Sequence, residues 1–204
     1  MANIKNIIFD LGNVLLDIDY SKTIRAFEAL GFEDFKSNYS PLKMDPVFEN
    51  LEMGKITGEA FCDKIKSISK NPVTNEQIET AWNALFLDFR KESLAFLEQI
   101  ATKYKLYLFS NTNSIHLTAF ETIFTKDTGK PSLDAYFTKA YYSHLIGFRK
   151  PYADAYTFVL EDAGIKAGET LFIDDLPNNI EGAKSVGIHT HLLLPHERVE
   201  NLQL

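Results

Sequence analysis

Ile7–Asp19 reads "IIFDLGNVLLDID", an apolar run that delivers one acidic side chain, Asp10, to its end before the chain turns through Gly12 and Asn13. A short apolar run stopped by turn residues reads as a strand, here with a charge placed at its carboxyl end. Runs of the same kind recur down the chain: "NIIFD" at 6–10, "KLYLFSN" at 105–111, "KAYYSHLIG" at 139–147, "TLFIDD" at 170–175 and "HTHLLL" at 189–194. Between them lie segments that read as helices, at 113–124, 151–164 and 177–187. The second has proline in its first turn and glycine just past its end, the asymmetry a helix favours. Strand and helix in alternation predict an α/β fold with a doubly wound parallel sheet.

Residues 18–88 break the alternation. "SKTIRAFEALG", "PVFENLEMG", "TGEAFCDKIKSIS" and "TNEQIETAWNALF" carry helical periodicity separated by Gly, Pro, Ser and Thr, with no convincing strand. The expected organisation is a core of residues 1–17 and 89–204, with a small α-helical cap at 18–88 inserted after the first strand. A helix at 89–103 returns the chain to the core. Trp82 and the phenylalanines at helical spacing, Phe27, Phe48 and Phe61, are expected to fill the insertion's interior.

Composition narrows the partners. With 204 residues, 45% hydrophobic and 24% charged, the chain can bury a sizeable core. A net charge of −7 without a Lys/Arg block argues against nucleic acid or an anionic membrane and leaves a small molecule as the expected partner. The single cysteine, Cys62, has no internal disulfide partner and reads as a buried thiol. "MANIKNIIFD" has too short an apolar run for a signal peptide, and no stretch has the length of a transmembrane helix, so a cytoplasmic location is expected.

In an open parallel sheet ligands bind beyond the carboxyl ends of the strands. Asp10, Ser110 with Asn111, Lys150, and Asp174 with Asp175 all stand at or just after such ends, and are expected to face one small volume. Three carboxylates in one pocket repel one another unless cations relieve them. Lys150 is one cation, and an all-oxygen donor set suits Mg²⁺ as the other. Such a pocket also accepts a phosphate dianion, with a carboxylate placed to attack phosphorus.

"FDLGNVLLD", "LFSNTN", "GFRKP" and "FIDDLPNNIEGAKSVG" resemble, in order and across essentially the whole chain, the four motifs of haloacid dehalogenase-like hydrolases with a helical cap. The first motif is most similar to the branch that includes bacterial α-glucose-1-phosphate phosphatase. The resemblance implies Asp10 as nucleophile and metal ligand, and the Gly12 carbonyl as a second ligand. It implies Ser110 and Asn111 as phosphate binders, and Lys150 as the cation that steadies nucleophile and phosphate. Asp175 then aligns as a direct metal ligand, with Asp174 acting through water or pairing with Lys150; Asn179 stands where many relatives have another acid. The implied activity is that of a Mg²⁺-dependent phosphatase on a small phosphorylated metabolite, a sugar phosphate above all, through an aspartyl-phosphate. A 2-haloacid dehalogenase and a weakly catalytic phospholigand binder are the alternatives.

Position 12 departs from the family. Most of its phosphatases carry there a carboxylate that protonates the leaving oxygen, and Gly12 has no side chain to do so. Asp17 and Asp19 are near in sequence but read as caps of the following helix. The expected substrates are therefore those whose leaving group departs easily, such as anomeric sugar phosphates. His189 and His191 share a strand face without a third ligand at suitable spacing, so they are read as solvated or packed rather than metal-bound.

Overall fold

The computed structural model describes residues 3–32, 35, 39–40, 43–44 and 46–204; residues 33–34, 36–38, 41–42 and 45 of the expected insertion, and the first two of the chain, lie outside the described residues. Its centre is the strand predicted from the opening motif, β1 (Asn6–Phe9), buried along its whole length. β1 pairs in parallel with β6 (Lys105–Ser110) on one side and β8 (Thr170–Asp174) on the other. β7 (Lys139–Tyr142) and β9 (His189–Leu192) extend the sheet outward to give the order β7-β6-β1-β8-β9, parallel throughout. The chain moves from β1 to one side and later returns to the other. The order therefore reverses beside β1, and a crevice opens there at the carboxyl ends. One apolar layer, with Phe9, Leu97, Phe120 and Phe124, packs one face of the sheet, and another, with Ile8, Phe109, Tyr156 and Phe172, packs the opposite face.

The insertion is helical, as expected, but not purely so. α1 (Tyr20–Ala29), α2 (Pro46–Glu52), α3 (Gly58–Ile68) and α4 (Asn75–Asn83) share an apolar cluster of their own, with Phe27, Phe48, Phe61, Cys62 and Trp82 all buried. Thr57 and Thr74 cap α3 and α4, and Gln77 completes a capping box with Thr74. The expectation of no strand fails at two places. A short hairpin joins β3 (Tyr39–Ser40) to β4 (Lys43–Met44), and β5 (Phe86–Phe89) pairs antiparallel with β2 (Leu16–Ile18). Strands of two to four residues are too short to show alternation, and "ALF" continues the helical pattern in sequence although α4 ends at Asn83. The β2–β5 ribbon carries the chain into the insertion and out of it.

Beyond the insertion, the helix expected at 89–103 is α5 (Lys91–Ile100). The strand expected over 139–147 stops at Tyr142. There Ser143 turns back to Thr112, accepting from its N–H and donating to its carbonyl at 2.9 Å each, and a short helix α7 (Ser143–Ile146) ends at Gly147 in the left-handed region, φ 75°. The helices over α6 (Ser114–Thr128), α8 (Ala153–Ala163) and α9 (Pro177–Ser185) form as expected. Among the described residues no helix is long and apolar enough to cross a membrane.

Candidate active site

Asp10 is the first residue past β1, and its N–H donates to the Ile173 carbonyl at 2.9 Å, which fixes the carboxylate at the sheet edge. Lys150 reaches it from the loop after α7. Its ammonium, 1% exposed, donates to Asp10 Oδ1 at 2.5 Å, to Asp174 Oδ2 at 2.8 Å and to the Phe109 carbonyl at 2.8 Å, and it lies between the faces of Phe109 and Phe172. An ammonium has three protons, and all three are used. Burial alone would discharge the lysine, but Asp10 and Asp174 outweigh it and hold its pKa above the usual value. Burial pushes the Asp10 carboxyl upward; Lys150 opposes that push and the neighbouring aspartates add to it. Lys150 thus has two negative partners.

The two adjacent aspartates have different surroundings. Asp174 is fully buried, and accepts from Lys150, from the Asn179 side chain at 3.0 Å and from the Leu176 N–H at 2.8 Å. Asp175 is half-buried at the pocket wall and takes one side-chain hydrogen bond, from Asn13 at 3.1 Å. Burial, then Asp174, raises its pKa. Oxygens of Asp10, Asp174 and Asp175 lie within 4.8 Å of one another, and among the described residues no other group of three or more His, Cys, Asp or Glu side chains comes together in this way. The donor set is all carboxylate, and so fits a hard cation; Gly12 lines the same pocket. His189 is exposed and His191 faces Glu197 at 3.5 Å, neither in such a group.

Asp10, Gly12, Ser110, Asn111, Lys150 and Asp175 line one pocket at the strand ends; Asp174 lies behind it. The Asn111 side chain reads both backbone groups of Lys150, donating to its carbonyl and accepting from its N–H at 2.9 Å each. Asn179, which borders the pocket, presents its amide nitrogen to Asp174. Asp17 and Asp19 are not at the pocket. Asp17 pairs with Arg90 at 2.6 Å and Asp19 caps α1 through the Ser21 N–H at 2.9 Å.

Several residues of the site went unread in the sequence. Asn13 occupies the left-handed region, φ 55°, and ties the turn after β1 to Asp175; the Gly-Asn pair in the opening motif was its signal. The pocket's outer wall contains Tyr20, Glu52, Phe86, His116 and Arg149. His116 stacks on Trp82 with centroids 4.8 Å apart, and its Nε2 is 3.2 Å from the Trp82 carbonyl, which makes Nε2 the protonated nitrogen. Burial depresses its pKa to about 3, so the ring is neutral. Glu52, at the end of α2, meets Arg149 at 2.9 Å in a half-buried pair that joins the insertion to the loop carrying Lys150. Glu52 stands in no local pattern that separates it from an ordinary surface charge, and Arg149, though inside "GFRKP", carries no sign there of a partner in the insertion.

The chain is similar to known proteins over nearly its whole length. A curated relative, the D-ribitol-5-phosphate phosphatase of Bacteroides thetaiotaomicron, is 33% identical over 188 residues, which cover 92% of this chain and 90% of that protein. A haloacid dehalogenase family enzyme of the same organism, crystallised as the wild type with magnesium and inorganic phosphate, superposes with a TM-score of 0.88 at 32% identity, covering 98% of this chain and 100% of that one. A predicted hydrolase of that family from Porphyromonas gingivalis gives 0.86 at 33% identity over 96% and 94%. The family model for haloacid dehalogenase-like hydrolases matches residues 4–187, and the chain belongs to that family.

Proposed function

We propose that the protein is a Mg²⁺-dependent phosphatase of small phosphorylated metabolites, with sugar and polyol phosphates as its class. The observation that carries the reading is the Asp10 carboxylate held on Lys150 beside Asp174 and Asp175, at the rim of a pocket also lined by Ser110 and Asn111. D-Ribitol 5-phosphate, the substrate in the relative's name, and the magnesium and phosphate of the solved neighbour support it.

Asp10, the Gly12 carbonyl and Asp175 would hold the cation, with Asp174 behind them. Bound there, Mg²⁺ would supply neutralising charge to the phosphate oxygens. The chain's own groups do the rest. The free oxygen of Asp10 attacks phosphorus in line; Lys150 orients that carboxylate and, with the Ser110 hydroxyl, offsets charge on the phosphoryl oxygens. Asn111 positions Lys150 through its backbone. Residues 18–88 act as a cap, whose Tyr20 and Glu52 meet the organic part of the substrate and exclude water. The charge balance and the single cysteine fit a cytoplasmic enzyme with a small-molecule partner. A dehalogenase is the weaker reading, because Asp175 in the wall would repel a haloacid carboxylate.

Phosphate release over a panel of sugar, polyol and aryl phosphates, with and without Mg²⁺, tests the reading. Metal-dependent release from polyol or sugar phosphates is expected. Tight binding of these esters with no release from any would instead make the protein a phospholigand binder.

A further inference from the structure

Gly12 leaves the pocket without a proton donor beside the leaving oxygen, and the two acids nearest in sequence are engaged elsewhere, Asp17 with Arg90 and Asp19 at the α1 cap. A polyol phosphate esterified at a primary carbon needs that proton more than most esters, because its leaving alkoxide is strongly basic. The carboxylates among the described residues that line the pocket are Asp10, Asp175 and Glu52, and the first two belong to the nucleophile and metal site. Glu52 remains.

We infer that Glu52, brought over the pocket by α2, is the acid–base group of the reaction, supplying from the insertion what position 12 does not; this rests on the phosphatase reading above. Two features of its setting carry the inference. Arg149 Nε and Nη2 both meet Oε2, at 3.0 and 2.9 Å, which leaves Oε1 as the oxygen that Arg149 does not engage and that can hold a proton. Arg149 is also the chain neighbour of Lys150, so Glu52 is held in register with the group that orients Asp10. Burial raises the Glu52 carboxyl pKa against the pull of Arg149; Glu49 adds to the rise and Lys150 opposes it. The direction of that shift favours the protonated form, which a general acid needs.

In the first half-reaction an Asp10 oxygen bonds to phosphorus, the bond from phosphorus to the ester oxygen breaks, and that oxygen keeps the electron pair and takes the Glu52 proton. Arg149 stabilises the carboxylate left behind. In the second, Glu52 takes a proton from water as the water oxygen bonds to phosphorus. The bond from phosphorus to the Asp10 oxygen breaks, which releases phosphate and restores both acids to their starting forms.

The test is Glu52→Gln with two esters, D-ribitol 5-phosphate and p-nitrophenyl phosphate, in steady state and in the first turnover. Nitrophenolate leaves without a proton. The expected result is a loss of about 10²–10⁴-fold in the first turnover on the ribitol ester. On the aryl ester, the expected result is a burst of one equivalent of nitrophenolate near the wild-type rate, then slow turnover, because hydrolysis of the phospho-enzyme still lacks its base. The double variant Glu52→Gln with Arg149→Gln also removes the guanidinium that faces position 52 and should show the same contrast if the single variant folds poorly. Equal losses on both esters without a burst would make the pair a structural latch and overturn the inference, as would unchanged rates on both. A wild type that releases phosphate from neither ester would overturn the phosphatase reading itself.

Discussion

Lys150 is the residue on which the site's electrostatics turn. It is fully buried with two carboxylates and a carbonyl as its acceptors, so each partner's charge is tolerated because the others are present. Asp10→Asn removes one negative charge and keeps a side-chain oxygen for the lysine. The fold should therefore survive, while an amide cannot serve as the nucleophile. Phosphate release is expected to fall to background with the far-ultraviolet circular dichroism unchanged; turnover clearly above background in the purified variant would assign the nucleophile elsewhere. His116 permits a pH prediction at the same scale. Its folded pKa of about 3 lies below the ordinary 6.5, so the unfolded chain binds more protons between these values and the ring's contribution, full above 6.5, is lost as pH falls toward 3. By that slope wild type should lose about 2 kcal/mol more than His116→Gln between pH 7 and pH 5, read from urea midpoints at the two pH values. Equal losses in the two proteins would mean that the histidine is charged in the folded state.

At the scale of elements, the parallel sheet was legible because its strands are short apolar runs that end in polar groups at a crevice. The apolar run says strand and the abrupt charge says edge. Three of the four motif segments stand at such strand ends; "GFRKP" does not, and was legible only through the family resemblance. What escaped has a physical cause in each case. Glu52 and Arg149 are 97 positions apart, and neither residue's local pattern points to the other. The β2–β5 ribbon joins segments about 70 residues apart through strands too short for alternation. His116 lies in a helix whose apolar face reads only as core. One helix shows how closely elements are set around the site: a methyl group added at Gly182, within α9, would lie 2.2 Å from the Pro151 carbonyl and 2.8 Å from a Tyr156 ring carbon. Replacing a mid-helix glycine by alanine ordinarily stabilises by about 1 kcal/mol. Here the obstacle is backbone, which cannot turn aside as a flexible side chain does, and overpacking costs about 1–3 kcal/mol. Gly182→Ala is therefore expected to lower stability and, by displacing the segment that follows Lys150, to lower kcat. A variant more stable than wild type in urea would show that α9 can move without cost.

At the scale of the whole molecule, a chain of net charge −7 collects three carboxylates at the meeting point of β1 and β8, with one buried ammonium among them. The folded protein then carries an electrostatic cost that a divalent cation relieves and the unfolded chain does not share. A ligand that binds only the folded state stabilises it by about 2.7 kcal/mol at a hundredfold excess over its dissociation constant. Mg²⁺ should accordingly raise the melting temperature, and a chelator should both abolish phosphate release and lower the melting temperature, each restored by Mg²⁺. The adjacent aspartates should separate in this assay. Asp174→Ala deprives Lys150 and Asn179 of a buried partner, a loss of about 3–5 kcal/mol by the usual cost of breaking a buried pair. Asp175→Ala removes a half-buried group held by one side-chain hydrogen bond, so the metal-free protein should stay within about 1 kcal/mol of wild type. Its melting temperature should nevertheless no longer respond to Mg²⁺. An Asp175→Ala protein that keeps the full magnesium shift would move the cation away from the pocket wall and toward Asp10 and Asp174. The reaction's phosphate would then have to approach from a side of the pocket that Lys150 and Asn179 already occupy.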